Sequence, residues 1–255
     1  MLSDMVRFPE NVARAITNAI ETAVGDDILE DIRKSNLSTH NSTPSRIWDY
    51  LNTNLRKNLS VTDCTVADAH RGPWEMHIVY DGVSQTIITF MREKRFSQLQ
   101  KKQHRRDKMH YVDMLAKQFN SDLKADPQQI CMFEQPEHTF SDQNRLAELV
   151  QMLLSDLDSD ISVVRHHILV LFDTVGFDLV HVRAVMVTPA LEIVKESEQN
   201  WSKYISSSES VVVEKVSNPN APENQPNRGL TLKPKAVARK KNMPRRKTSL
   251  EERES

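Results

Sequence analysis

Apolar side chains recur at intervals of three and four residues from Val12 through Ile16, Ala19, Ile20 and Ala23. Such a stripe is what an amphipathic helix lays against a core. Pro9 and Glu10 stand before it, a proline suited to the first turn and an acid suited to the positive end of the helix dipole. Gly25 is expected to end this helix, and Asp26-Asp27 to open a second that carries Ile28, Leu29 and Ile32. A polar stretch over 35–45 then leads, at Pro44, into a third with Ile47, Trp48, Leu51, Leu55 and Leu59 on one side. Beyond it the period changes from helical to two. Trp74, Met76, Ile78 and Tyr80 alternate with Glu75, His77, Val79 and Asp81, which predicts a half-buried strand. Residues 86–91 form the strongest strand and 64–69 a weaker one, and Asp81-Gly82 predicts a tight hairpin with glycine at positive φ. A helix starting near Phe96 is expected to resume, after a basic break, through Tyr111, Val112, Leu115 and Phe119. Ser141-Asp142 opens another, with Leu146, Leu149, Val150, Leu153, Leu154 and Leu157 on its apolar face. Residues 167–172 and 179–187 read as a second hairpin, and Pro189 as the start of a last helix toward Trp201.

The order of elements predicts an α+β fold: N-terminal helices, then antiparallel β-hairpins packed with helices. One domain over residues 6–204 is expected, with a second reading that divides it near 126, at Asp126-Pro127. Residues 205–255 are serine-rich, then Pro/Asn-rich, then basic; apart from a short strand at 211–216 they predict a disordered basic tail. Hydrophobic residues make up 38% of the 255, a share that fits a chain part of which packs no core. Two cysteines without a CxxC pair, Cys64 and Cys131, argue against a disulfide scaffold or a Cys-rich zinc site. Without an apolar leader, or any run near the ~18 residues of a membrane span, a cytoplasmic protein with no membrane partner is expected.

Charge changes the picture more than composition does. The net charge of −1 hides a basic run over 92–108, with eight Lys/Arg against Glu93 and Asp107. Residues 119–162 carry nine Asp/Glu against Lys124 and Arg145, and 229–250 carry eight Lys/Arg and no acid. On a helix, Lys101, Lys102, Arg105, Arg106 and Lys108 would neutralise several phosphates, with counterion release driving binding to nucleic acid. The acidic segment is the competing internal partner, or itself the surface for a basic protein partner. Glu75, His77 and Asp81 share one face of a strand, the side chains a divalent metal or acid–base chemistry would need, although polar-out alternation by itself yields the same row. The layout of Asp81, the next strand and Arg92-Glu93-Lys94-Arg95 resembles the metal-dependent nucleases of the restriction-endonuclease fold. That resemblance implies Mg²⁺ on Asp81 and Glu93, with Lys94 or Arg95 at the attacked phosphate, but the Glu-x-Lys spacing is broken here. No phosphate-loop, dinucleotide, nucleophile-elbow or HExxH motif is present. No cofactor is expected outside the nuclease reading, and a binding role is expected over an enzymatic one.

The blocks FPENVARAI, RIWDYLNTNL, RGPWEMHIVYD and TFMREKRF resemble, over residues 8–115, an uncharacterised family of proteins from Gram-positive bacteria and phages. The resemblance implies an accessory or regulatory protein and brings no activity or site residues with it.

Overall fold

Thr86–Arg92 (β3) and His166–Val175 (β4) lie side by side and parallel, in register from Thr86↔His166 to Arg92↔Phe172. Around this pair the computed structural model builds a six-stranded mixed sheet in the order β1-β2-β3-β4-β5-β6, and it describes residues 8–71, 74–124, 139–157 and 161–206. Cys64–Arg71 (β1), Trp74–Asp81 (β2) and β3 form an antiparallel meander, while Asp178–Val185 (β5) and the short Gln199–Asn200 (β6) continue antiparallel beyond β4. The fold is α+β, and all described elements lie in one compact unit, Met1–Ser207.

Both faces of the central strands are apolar, so both must be covered. Ile88 and Phe90 of β3 and Ile168, Val170 and Phe172 of β4 face one core, shared with Glu10–Thr22 (α1), Ile28–Ser35 (α2) and Thr43–Leu59 (α3). Ile87, Met91, Leu169 and Leu171 face the other, shared with Glu93–Lys101 (α4), Tyr111–Phe119 (α5) and Leu146–Leu153 (α6). In β2, Val79 belongs to the first core and Met76, Ile78 and Tyr80 to the second, so the strand is covered on both sides at its C-terminal half. Trp74, expected inside, is 44% exposed at its N-terminal end.

Several sequence expectations are corrected here. Gly25 does not stop the first helix: Ala23–Asp27 widens into a π turn that runs on into α2. Asp81 pairs with Thr86 across a four-residue loop, in which Gln85 rather than Gly82 takes the positive φ, at 55°. The Asp81 carboxylate accepts from Val83 N and Ser84 N at 3.3 Å each and from the Ser84 hydroxyl, so it shapes this loop. The helix expected from Ser141 is a 3-10 turn, Gln143–Arg145, followed by the shorter α6. Among the described residues no α-helix follows Pro189, only the 3-10 turns Lys195–Ser197 and Ser202–Tyr204. Leu191, at φ 58°, enters the core under α4–α6, whereas Val194 and Trp201 enter the core under α1–α3. One helical face cannot serve two sides of a sheet, so this segment wraps its end as irregular chain with an isolated Val187↔Ile193 bridge. The predicted boundary near 126, Cys131, the strand at 211–216 and residues 207–255 of the tail lie outside the described residues.

The antiparallel ladder between β2 and β3 ends at Val79↔Ile88. Two positions further in the same register, His77 would oppose Phe90. Instead, the His77 N–H donates to Asn52 Oδ1 of α3 at 3.2 Å, and the Phe90 carbonyl accepts from the Tyr111 hydroxyl of α5 at 3.0 Å. The sheet is parted there, and a side chain from each face takes one freed backbone group. Tyr111→Phe leaves the Phe90 carbonyl buried and unpaired, and is expected to destabilise the fold by about 1–3 kcal/mol in urea unfolding.

His167, fully buried at the start of β4, places Nε2 2.8 Å from Thr89 Oγ1, while Nδ1 has no partner. Asn120 clamps this strand to the end of α5, taking the His167 N–H at 2.9 Å and donating to the His167 and Val187 carbonyls at 2.8 and 3.0 Å. Burial pushes the His167 pKa down to about 3. The folded ring therefore stays neutral, whereas the unfolded ring, near 6.5, binds a proton as pH falls. Stability from this group is complete above about 6.5 and is lost toward 3, at up to about 1.4 kcal/mol per pH unit. Unfolding free energies measured from neutral pH down to about 4 should show this slope, and His167→Gln should flatten it by one proton's worth.

Candidate functional site

α4 follows β3 without a loop, because Arg92 is both the last strand residue and the helix N-cap. Phe96 and Leu99 turn its inner face into the core. Lys94, Arg95, Gln98 and Lys101 are therefore left exposed, with the C-cap residue Lys102 beside them. A 3-10 turn, Gln103–Arg105, carries on this surface with Arg105, and Lys108 follows. Gln100 Nε2 donates to the Leu191 carbonyl at 2.8 Å and Gln103 Nε2 to the Pro189 carbonyl at 3.0 Å, so the polar residues between the cations anchor the segment. Among the described residues, no carboxylate lies within ion-pair distance of Lys94, Arg95, Lys101, Lys102, Arg105 or Lys108.

Arg106 differs from its neighbours. It grips the fully buried Asp113 with both terminal nitrogens, NH2 reaching Oδ1 at 2.7 Å, and stacks 5.4 Å from the Phe140 ring centroid. Asp113 also accepts the His110 N–H at 2.7 Å, as the third residue of a capping box at the start of α5. Arg106 is thus a structural residue of the turn that presents the other cations.

Among the described residues of the acidic segment, none forms an ion pair with this face. Of its described carboxylates, Asp142 accepts the Met109 N–H at 3.0 Å, Glu148 holds Arg145 at 2.7 Å, and Asp156 lies 3.9 Å from His70. α6 itself exposes Ala147, Glu148, Gln151 and Met152, a face with one acid already paired.

The other candidates are not brought together. Asp81 pairs with the first residue of β3, while Glu93 follows its last; six strand steps make that about 20 Å. Glu93 is held by Arg183, Nε to Oε1 at 2.5 Å and NH2 to Oε2 at 3.1 Å, and Arg183 also reaches Glu198 at 3.1 Å. Lys94 points away from both, on the exposed face of α4. Glu75 is exposed and His77 half-buried. Nδ1 of His77 lies 2.9 Å from the Asn52 carbonyl and Nε2 2.7 Å from Asp68, the residue opposite it on β1. Burial works to raise the Asp68 pKa, but the Arg56 hydrogen bond and charge, with His77, hold it below the usual value. This set fastens the β1–β2 hairpin to α3. Among the described residues, no group of three or more His, Cys, Asp or Glu is arranged to hold a metal ion.

Arg92, the first residue of the basic run, is set apart from it. It is half-buried, stacks 5.6 Å from the Phe172 ring centroid and donates to Thr174 Oγ1 at 3.3 Å. Burial lowers its pKa, against the opposing effect of Asp173. Burial likewise pushes the Cys64 thiol up to about 11, which keeps it protonated and unreactive at neutral pH. A hollow of about 360 Å³ beside β1 and another of about 630 Å³ between α5 and α6 are lined by no residue of α4. The candidate site is accordingly an exposed charged face, outside both of these hollows. No described helix is long and apolar enough to cross a membrane.

No curated protein and no solved structure matches the chain. A family model does match, over residues 6–250, well beyond the four sequence blocks that first suggested a relationship. The chain belongs to the family of unknown function DUF5986.

Proposed function

We propose that this chain is a cytoplasmic accessory or regulatory protein of bacterial or phage origin that acts by binding nucleic acid through the outer face of α4 and the turn after it. The observation that carries this reading is the set of exposed cations, Lys94, Arg95, Lys101, Lys102, Arg105 and Lys108, without a carboxylate partner among the described residues. Cations paired across a surface contribute little to recognition, whereas unpaired ones on a fixed element raise the local potential within a Debye length of about 8–10 Å. Phosphate is the anion best served by such a row, since each neutralised phosphate releases condensed counterions. The basic run over 229–250 would add a second, sequence-adjacent source of positive charge.

The test is fluorescence anisotropy of the full chain with generic labelled DNA and RNA across a salt series. Affinity is expected to fall linearly on a log–log plot, and the triple change Lys101→Gln, Lys102→Gln, Arg105→Gln should reduce the slope by about 2 to 3. An unchanged slope would remove the α4 face from the interaction. Capture of an acidic protein that survives nuclease treatment, with no nucleic-acid binding, would hand the face to a protein partner instead. Arg106→Ala should behave differently from the triple variant. It strands the buried Asp113 carboxylate, and is expected to cost about 3–5 kcal/mol in unfolding experiments rather than to alter the salt slope alone.

A further inference from the structure

We infer that the α4 face takes double-stranded nucleic acid, gripping its two backbones without reading sequence; this rests on the nucleic-acid reading above. Lys94 and Arg95 precede Lys101 and Lys102 by seven residues along α4 and its C-cap. Seven residues are close to two helical turns, so the two cation pairs lie on one side of the helix about 10 Å apart. The major groove of B-form DNA is about 12 Å wide and is flanked by a phosphate backbone on each side. Two pairs of long, flexible cations at that spacing suit two rails of phosphate, and a single strand offers only one.

The aromatic residues of this region point the same way. Single-strand binders hold successive bases on exposed aromatic platforms. Here Phe96, Phe119 and Phe140 are buried, and Tyr111 is buried with its hydroxyl committed to the Phe90 carbonyl. Gln98 is the one uncharged residue exposed on α4, and its Oε1 accepts from Arg95 at 3.5 Å. Lysine and arginine against phosphate position a protein but carry no sequence information. The face is also held in place before any ligand arrives, by Phe96 and Leu99 in the core and by the Gln100 and Gln103 hydrogen bonds. A fixed face meeting a stiff duplex loses little conformational entropy on association.

Full-length protein would be titrated against a labelled duplex, a duplex of scrambled sequence and the separated strands, each across a salt series. The duplexes are expected to agree within about twofold and to bind about tenfold more tightly than either strand at equal salt. The paired changes Lys94→Gln/Arg95→Gln and Lys101→Gln/Lys102→Gln should each lower the duplex salt slope by about 1 to 2, with unchanged circular dichroism. Separated strands binding as tightly as duplex would overturn the inference and leave the nucleic-acid reading standing. A scrambled duplex that binds about tenfold worse would overturn the backbone-only grip. Duplex preference unaltered in both paired variants would overturn the assignment to α4, and absence of binding to every probe would bring down the functional reading as well.

Discussion

The parallel pairing of β3 with β4 is the constraint on which the rest of the structure depends. Parallel neighbours cannot be joined by a tight turn, so the chain must leave the sheet, cross one face and return. The segment between Arg92 and His166 does this, and α4, α5 and α6 are the helices of that crossover. A central parallel pair is apolar on both sides, so the opposite face needs a cover of its own, which α1–α3 provide before the first strand is made. Two cores follow from one pairing. The position of the basic face follows too, because α4 starts at the last residue of β3 and has one side available for the core. With Phe96 and Leu99 on that side, the lysines and arginines of the same turns must stand outward.

Parting the sheet between His77 and Phe90 is the second organising feature. An antiparallel ladder that could close is exchanged for two side-chain hydrogen bonds, from Asn52 on one face and Tyr111 on the other. The His77 N–H and the Phe90 carbonyl thereby each keep a partner. Its effect is to let the β1–β2 hairpin follow α3, through Asn52, His77, Asp68 and Arg56, while β3 follows the crossover helices. The polar row on β2 that looks like chemistry in the sequence is thereby spent on attachment.

Periodicity revealed α1, α3, β2 and β3 because each shows a core a regular stripe. It failed where one stretch feeds two cores. Leu191 and Val194, three residues apart, read as a helical face, yet lie on opposite sides of the sheet. The β3–β4 pairing joins strands about eighty residues apart, and alternation along each says nothing of a neighbour or its direction. The cations of α4 were legible as a basic run, since charge and helical spacing alone place them outward. Arg106 was not separable from that run, because its partner Asp113 belongs to the next helix. The loop after Asp81 was misread for a simpler reason: Asp-Gly favours a two-residue turn, and the Asp81 and Ser84 side chains make a longer one.

Among the described residues, folding leaves the cations of the α4 face without carboxylate partners. A chain of net charge −1 has enough carboxylates to neutralise every cation, but folding decides which ones meet. Glu93, at the start of α4, is drawn to Arg183 on β5, and Asp113 to Arg106. Among the described acids of the middle segment, Asp142 caps backbone and Glu148 closes on its own helix turn. The helix that the topology forces outward thus keeps its positive charge while Glu93 and Asp113 are held elsewhere, and Asp107 stays exposed in the turn. Among the described residues Lys94, Arg95, Lys101, Lys102, Arg105 and Lys108 have no carboxylate to offset their mutual repulsion, and the Gln100 and Gln103 hydrogen bonds hold the face against it.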